Sequence, residues 1–187
     1  MKALFIGANK SGKSRIALEY TLKLASKKPY FIATGIPTDE EMQKKIEIHK
    51  KDRKDRFITI EEPIELYKVI KSIETYKLID CMSFWVRNML LNNKEDEILT
   101  EAEKISQIEN SIFVINEVGA GIIPANELAR KFAHYNGLVS QIVAKNCNEV
   151  YFCIAGLSLK VKWENFLLAL LLTWNMLTAI PIFNMVF

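Results

Sequence analysis

Gly7-Ala8-Asn9-Lys10-Ser11-Gly12-Lys13-Ser14 is the stretch that decides the fold. Its spacing, Gly-x-x-x-x-Gly-Lys-Ser, stands directly behind the apolar run Ala3-Leu4-Phe5-Ile6. It opens a segment in which Ile16, Ala17, Tyr20 and Leu24 recur at helical spacing. Strand, glycine loop and helix is the context in which this pattern cradles phosphate. The glycines permit backbone dihedrals closed to other residues, so successive amides can point at phosphate oxygens, and the positive end of the helix dipole lies beneath the anion. Lys13 is placed to reach the β- and γ-phosphates, and the Ser14 hydroxyl to ligate Mg²⁺. The run implies a bound nucleoside triphosphate and specifies neither a base nor a reaction.

Outward from the loop, short apolar strands alternate with helices. Tyr30-Phe31-Ile32-Ala33, Phe57–Ile60, Leu78-Ile79-Asp80-Cys81, Ile112-Phe113-Val114-Ile115 and Val150–Ala155 read as strands, the last of these as the final one. Helices are expected at about 13–26, from the capping box Thr38-Asp39-Glu40-Glu41 to His49 or Lys50, and at about 63–74. Another contains Trp85 and Leu90, one follows a polar bulge at 92–97, and one spans about 126–146. This alternation implies an α/β fold of the P-loop NTPase, RecA-like kind, a mostly parallel sheet with helices on both faces.

The 187 residues suit one domain, and a net charge of +3 is too small to imply a nucleic-acid partner. The positive charge is concentrated: Lys44 to Arg56 holds seven Lys or Arg against three acids. Cys81, Cys147 and Cys153 are widely spaced, and the apolar start is too short for a signal peptide. Reduced thiols in a cytoplasmic protein are therefore expected. Nothing has zinc-site spacing.

Asp80, at the end of an apolar strand, reads either as the carboxylate that holds Mg²⁺ or as the amino-terminal cap of the next helix. His49 reads either as a helix-end residue stabilised by the dipole or as a nucleophile kept neutral by the adjacent Lys50, Lys51 and Arg53. His134 reads as a helix-surface residue. The residues alone lead as far as a Mg²⁺–nucleotide enzyme with a candidate histidine nucleophile.

From Trp163 to Phe187 the only charge is Glu164, and Leu, Ile, Phe, Met, Val and Trp dominate. We therefore separate a catalytic domain, 1–162, from a hydrophobic tail, 163–187. A membrane-spanning helix entered from the cytosolic side, a packed oligomer-contact helix and an aberrant end from a shifted reading frame all remain open for the tail. Asn165, Thr173, Asn175, Thr178, Pro181 and Asn184 interrupt it.

The motifs also resemble a family. Gly7–Ser14 followed by Arg15, Ile32-Ala33-Thr34, Asp39-Glu40-Glu41-Met42 and Ile46-Glu47-Ile48-His49-Lys50 match it in order. So do Leu78-Ile79-Asp80-Cys81 with Trp85 and Asn88, Asn116-Glu117-Val118-Gly119-Ala120-Gly121-Ile122-Ile123-Pro124, Leu128-Ala129-Arg130, Gly137, and Ala155-Gly156-Leu157 with Lys162. Over nearly all of residues 2–162 the chain is similar to the bifunctional adenosylcobinamide kinase and adenosylcobinamide-phosphate guanylyltransferase of cobalamin biosynthesis. The resemblance implies phosphorylation of adenosylcobinamide by ATP or GTP, followed by transfer of GMP from GTP to adenosylcobinamide phosphate through a covalent GMP–histidine. It puts the histidine at His49 and guanine-nucleotide contacts at Gly7–Ser14 (Gly7, Ala8, Asn9, Lys10, Ser11, Gly12, Lys13, Ser14), Ala33, Thr34, Gly35, Lys50, Lys51, Asp52, Arg53, Glu61 and Asp80. Mg²⁺ falls to Ser14 and Asp80, and the implied assembly is a homotrimer. Glu117 reads equally as an assisting group and as a structural hydrogen-bond acceptor. Three departures stand out. Ala8 and Lys10 replace a glycine and an arginine common in the family's loop, and Ile48 stands where many members have a first histidine. The tail lies beyond the usual family end, so the resemblance says nothing of membrane contact through it. The rival expectations are a small-molecule kinase that never uses His49 and a nucleotide-gated, membrane-anchored adaptor.

Overall fold

The structure, a computed structural model, describes residues 1–37, 53–121 and 123–162. Seven strands form one sheet in the order β3-β2-β4-β5-β1-β6-β7. They are β1 (Ala3–Gly7), β2 (Tyr30–Ala33), β3 (Ile58–Glu61), β4 (Lys77–Asp80), β5 (Ser111–Asn116), β6 (Glu149–Ile154) and β7 (Leu157–Lys162). All neighbours run parallel except the β6–β7 pair. The described helices are α1 (Lys13–Leu24), α2 (Leu66–Ile70), α3 (Met82–Leu91), α4 (Ile98–Ser106) and α5 (Glu127–Asn146), with short 3-10 turns at Lys54–Arg56 and Glu95–Glu97.

Strand periodicity sorts the core into two layers. Ala3 and Phe5 of β1 point to the side of α1 and pack with Ala17, Leu78, Ile112 and Val114. Leu4 points the other way and joins Ile32, Trp85, Ile98 and Val139 beneath α2 to α5. β5 is buried from Ser111 through Ile115, as a central strand covered on both faces must be. Helices therefore lie on both faces, as expected from the alternation of elements. β5 separates β1 from β4, so the loop strand and the Asp80 strand are not neighbours, which is the RecA-like arrangement.

Two expectations need correcting. Val150–Ala155 is not the last strand: the chain turns at Ala155 (φ 51) and Gly156 (φ 81) and returns as β7. Two positive φ values make a tight hairpin turn whose twist suits the flanking strands. The helix expected over 63–74 is only Leu66–Ile70. The Glu62 carboxylate accepts the N–H groups of Ile64 and Glu65 at 2.9 and 2.7 Å, which holds a turn where the helix was expected to begin. At the other end, Ile73 N–H bonds Ile70 O and tightens the exit. The helix expected from Thr38 and the hydrophobic tail lie outside the described residues. Among the described residues no helix is long and apolar enough to cross a membrane.

The hairpin is tied to α1 through one carboxylate. Tyr20 and Tyr151 hydroxyls each donate to Glu149 Oε2 at 2.6 Å, and Lys160 Nζ donates to Oε1 at 2.5 Å. The Tyr20 and Tyr151 rings pack on Phe5, at 5.2 Å edge-on and 4.7 Å stacked. Burial raises the Glu149 carboxyl, but the bonds from Lys160, Tyr151 and Tyr20 outweigh it and hold the group below its ordinary value. A carboxyl depressed in the folded state contributes stability above its unfolded range and loses it as pH falls through the folded value. Glu149→Gln should therefore destabilise the protein by ~2 kcal/mol near neutral pH. The gap to the parent should close as pH falls through and below the ordinary glutamate range, which urea melts across that range will measure.

Candidate nucleotide site

The loop after β1 sits at the carboxyl edge of the sheet, between the ends of β5 and β6. Gly7 pairs with Asn116 on one side and Cys153 on the other. A Cβ on Gly7 would lie 2.3 Å from the Cys153 carbonyl oxygen, and one on Gly12 would lie 2.9 Å from Gly156 Cα. Gly12 also has φ +88 as the residue that caps α1. Both positions demand glycine, one through close approach and one also through dihedral angle. Lys10, at φ 58, holds a left-handed conformation.

The loop's carbonyl groups are engaged from behind. Glu117 N–H donates to Gly7 O at 2.9 Å, Gly156 N–H to Ser11 O at 2.9 Å, and Lys13 Nζ to Ala8 O at 3.1 Å. Ala8, Asn9 and Lys10 are exposed, Gly12 and Ser14 are half-buried, and Ser11 and Lys13 are buried. Burial lowers the Lys13 pKa, against the pull of Cys81, Asp80 and Cys153.

Asp80 ends β4 and meets the first turn of α1: Ser14 Oγ donates to Asp80 Oδ1 at 3.3 Å. It does not cap α3, whose N-cap is Cys81, with no side-chain cap. The hydroxyl and carboxylate together form an oxygen donor pair of the sort a hard divalent cation takes beside phosphate oxygens and water. Among the described residues no group of three or more His, Cys, Asp or Glu side chains could hold a metal ion. Ser14 and Asp80 fit Mg²⁺.

Ala33 is in register with Asp80 and with Glu61, so the ends of β2, β3 and β4 form one ledge. Gly35 follows it, half-buried. Thr34 and Arg53 face inward instead. Thr34 is fully buried, with its hydroxyl on the Cys81 backbone. Arg53 is 4% exposed and its guanidinium lies 3.7 Å from the Phe31 ring centroid, where the cation meets the aromatic face. His49, Lys50, Lys51 and Asp52 lie outside the described residues. Glu117 accepts the N–H groups of Gly119 and Ala120 at 2.7 and 3.1 Å, which favours its structural reading. His134 is exposed.

On α3, sequence reasoning matched Trp85 and Asn88 to the family without giving them a role, and missed Ser83. Ser83 Oγ accepts the Asn116 N–H at 2.9 Å, the Trp85 indole donates to Ile64 O at 2.8 Å, and Asn88 Nδ2 donates to Thr34 O at 2.8 Å and Pro63 O at 3.2 Å. The signal available was polar side chains within an otherwise apolar helix. The three cysteines are free and buried; burial pushes Cys81 and Cys147 up to about 12, so neither supplies a thiolate.

The family profile described as cobinamide kinase / cobinamide phosphate guanyltransferase matches residues 3–161. The chain is 33% identical over 172 residues to the bifunctional adenosylcobalamin biosynthesis protein CobP of Pseudomonas aeruginosa, covering 88% of this chain and 99% of that one. It is 31% identical over 183 residues to the CobU protein of the same description from Escherichia coli K12, covering 87% and 100%. Among solved structures, the flagellar accessory protein FlaH of Methanocaldococcus jannaschii superposes with a TM-score of 0.44 at 15% identity, covering 87% of this chain and 78% of that one. Gly12→Ala should destabilise the protein by about 2 kcal/mol through its left-handed dihedral and the contact with Gly156. It should also weaken nucleotide binding at least about tenfold, as read by thermal melts and a fluorescent GTP analogue; unchanged binding would contradict this account of the loop.

Proposed function

The chain belongs to the cobinamide kinase / cobinamide phosphate guanyltransferase family, and from that membership we propose that one nucleotide pocket serves two reactions in turn. In the first, the aminopropanol hydroxyl of adenosylcobinamide attacks the γ-phosphorus of ATP or GTP, and the bond from that phosphorus to the β–γ bridging oxygen breaks. In the second, neutral His49 attacks the α-phosphorus of GTP and pyrophosphate leaves. A phosphate oxygen of adenosylcobinamide phosphate then attacks the GMP–histidine, the P–N bond breaks, and adenosylcobinamide-GDP and free imidazole result. One difficult displacement becomes two easier ones.

The observation that carries this reading is the Ser14–Asp80 pair beside the Gly7–Ser14 loop, in a chain whose family match spans residues 3–161. The loop amides face the β- and γ-phosphates, and Lys13 exchanges its bond to Ala8 O for phosphate oxygens. Mg²⁺, when held by Ser14 and Asp80, supplies positive charge to the phosphate oxygens. The Ala33–Glu61–Asp80 ledge borders the nucleotide, and Gly35 follows at its rim. Lys50 and Lys51 neutralise the anions gathered around His49. Arg53, packed on Phe31, anchors the chain leading away from that segment.

A kinase without nucleotidyl transfer is the competing reading, and covalent labelling separates the two. Incubation with α-labelled GTP should give an acid-labile, alkali-stable adduct. His49→Ala should abolish the adduct and guanylyl transfer while sparing phosphorylation of adenosylcobinamide. Absence of label from the parent protein would leave the kinase alone.

A further inference from the structure

Thr34 falls within the family's nucleotide-contact stretch, yet its polar groups are engaged elsewhere. Its N–H donates to Asp80 O at 3.4 Å. Its hydroxyl accepts the Cys81 N–H at 2.9 Å and donates to Cys81 O at 2.7 Å. Its carbonyl accepts Asn88 Nδ2 at 2.8 Å, and the same amide reaches Pro63 O. The side chain is fully buried. Thr34 therefore grips the chain where β4 ends, at Asp80 O and at both backbone groups of Cys81, and Asn88 fixes the grip from α3.

We infer that Thr34 is a positioning residue: its hydroxyl clamps the Cys81 backbone so that the Asp80 carboxylate is presented to Ser14 and to the Mg²⁺–nucleotide. The inference rests on the reading of Asp80 given above. A hydroxyl suits this task because it donates and accepts at once, and the clamped peptide offers one N–H and one C=O. Valine has nearly the same shape and can do neither, so it would leave the buried Cys81 N–H without a partner, leave Cys81 O to the Phe84 and Trp85 N–H groups alone, and loosen the strand end. Supporting groups around metal ligands commonly govern metal affinity in this way.

The test is equilibrium binding of a fluorescent GTP analogue to the full chain, with EDTA and across a Mg²⁺ titration. Thr34→Val should leave metal-free binding within about twofold and raise the Mg²⁺ concentration for half-maximal tightening at least about tenfold. Thr34→Ser, which restores the hydroxyl, should return the parent value. In an Asp80→Asn background Thr34→Val should add nothing, since the two act through one group. Equal loss of metal-free binding would make Thr34 a direct nucleotide contact and overturn the inference, as would an unchanged Mg²⁺ requirement. If Thr34→Val does not fold, Thr34→Ala is read by the same criteria, and a Thr34→Ser protein that folds but shows the weakened Mg²⁺ response also overturns it. Asp80→Asn alone tests the underlying reading. An unaltered Mg²⁺ response in that variant sinks the Asp80 assignment, whereas a response to Asp80→Asn without one to Thr34→Val sinks only the clamp.

Discussion

The structure depends on a contact between bare backbones, the phosphate loop against the β6–β7 hairpin. Gly7 approaches the Cys153 carbonyl and Gly12 approaches Gly156 so closely that neither could carry a Cβ. The floor of the loop is thus made of peptide groups, which have no rotamers to freeze when an anion arrives. Two loop carbonyls, those of Gly7 and Ser11, are taken by Glu117 N–H and Gly156 N–H. Drawing the negative ends of the peptide dipoles backward leaves the positive ends for phosphate. Preorganisation of this sort is a large part of how such loops stabilise charge. It also explains why β7 matters to a site it does not line: the turn that begins it places Gly156 under Gly12.

A second layer of order comes from α3. Ser83, Trp85 and Asn88 face the sheet from one helix and hold Asn116, Ile64, and Thr34 with Pro63. Each is a buried polar group matched to a backbone group at or beside a strand end, where the ladder of the sheet has run out of partners. Apolar replacements of equal size would keep the packing and lose the alignment, because the orphaned peptide groups would seek other partners. The ends of β2 and β5 and the link after β3 are therefore set relative to one another by a single rigid element. Asp80, between them, is held by its own strand and by Thr34.

The alternation of apolar strands and helices was legible in the sequence, because each central strand is buried on both faces and reads as an unbroken apolar run. The phosphate loop and its partner Asp80 were equally legible, since their chemistry admits few residue types. β7 was missed although Leu157-Ser158-Leu159-Lys160-Val161-Lys162 alternates strictly. Ala155 at a positive-φ position hid the hairpin turn, which usually declares itself with Asn or Gly. The Glu62 turn shortened α2 through a side-chain bond that no periodicity encodes. Thr34 and Arg53 stood in stretches matching nucleotide contacts, and only three-dimensional packing shows their side chains turned inward. Neighbours in sequence on a strand end face opposite ways, so a contact carried over by motif fixes the segment but not the side chain.

The two proposed reactions are compatible with one fixed loop because both place their new charge on the same phosphate. When the γ-phosphoryl group leaves, the β–γ bridging oxygen stays with the β-phosphate. When the α-phosphorus is attacked, the α–β bridging oxygen also stays with the β-phosphate. The group held by the loop amides and Lys13 is therefore the charge sink in either case, and neither reaction asks the loop to move. What differs is the direction of attack. The substrate hydroxyl must approach from the γ end and the His49 imidazole from the side of the α-phosphorus, so the two nucleophiles need separate approaches. A rigid anion cradle at the sheet edge, fed from two directions, would meet that geometric demand with one nucleotide pocket.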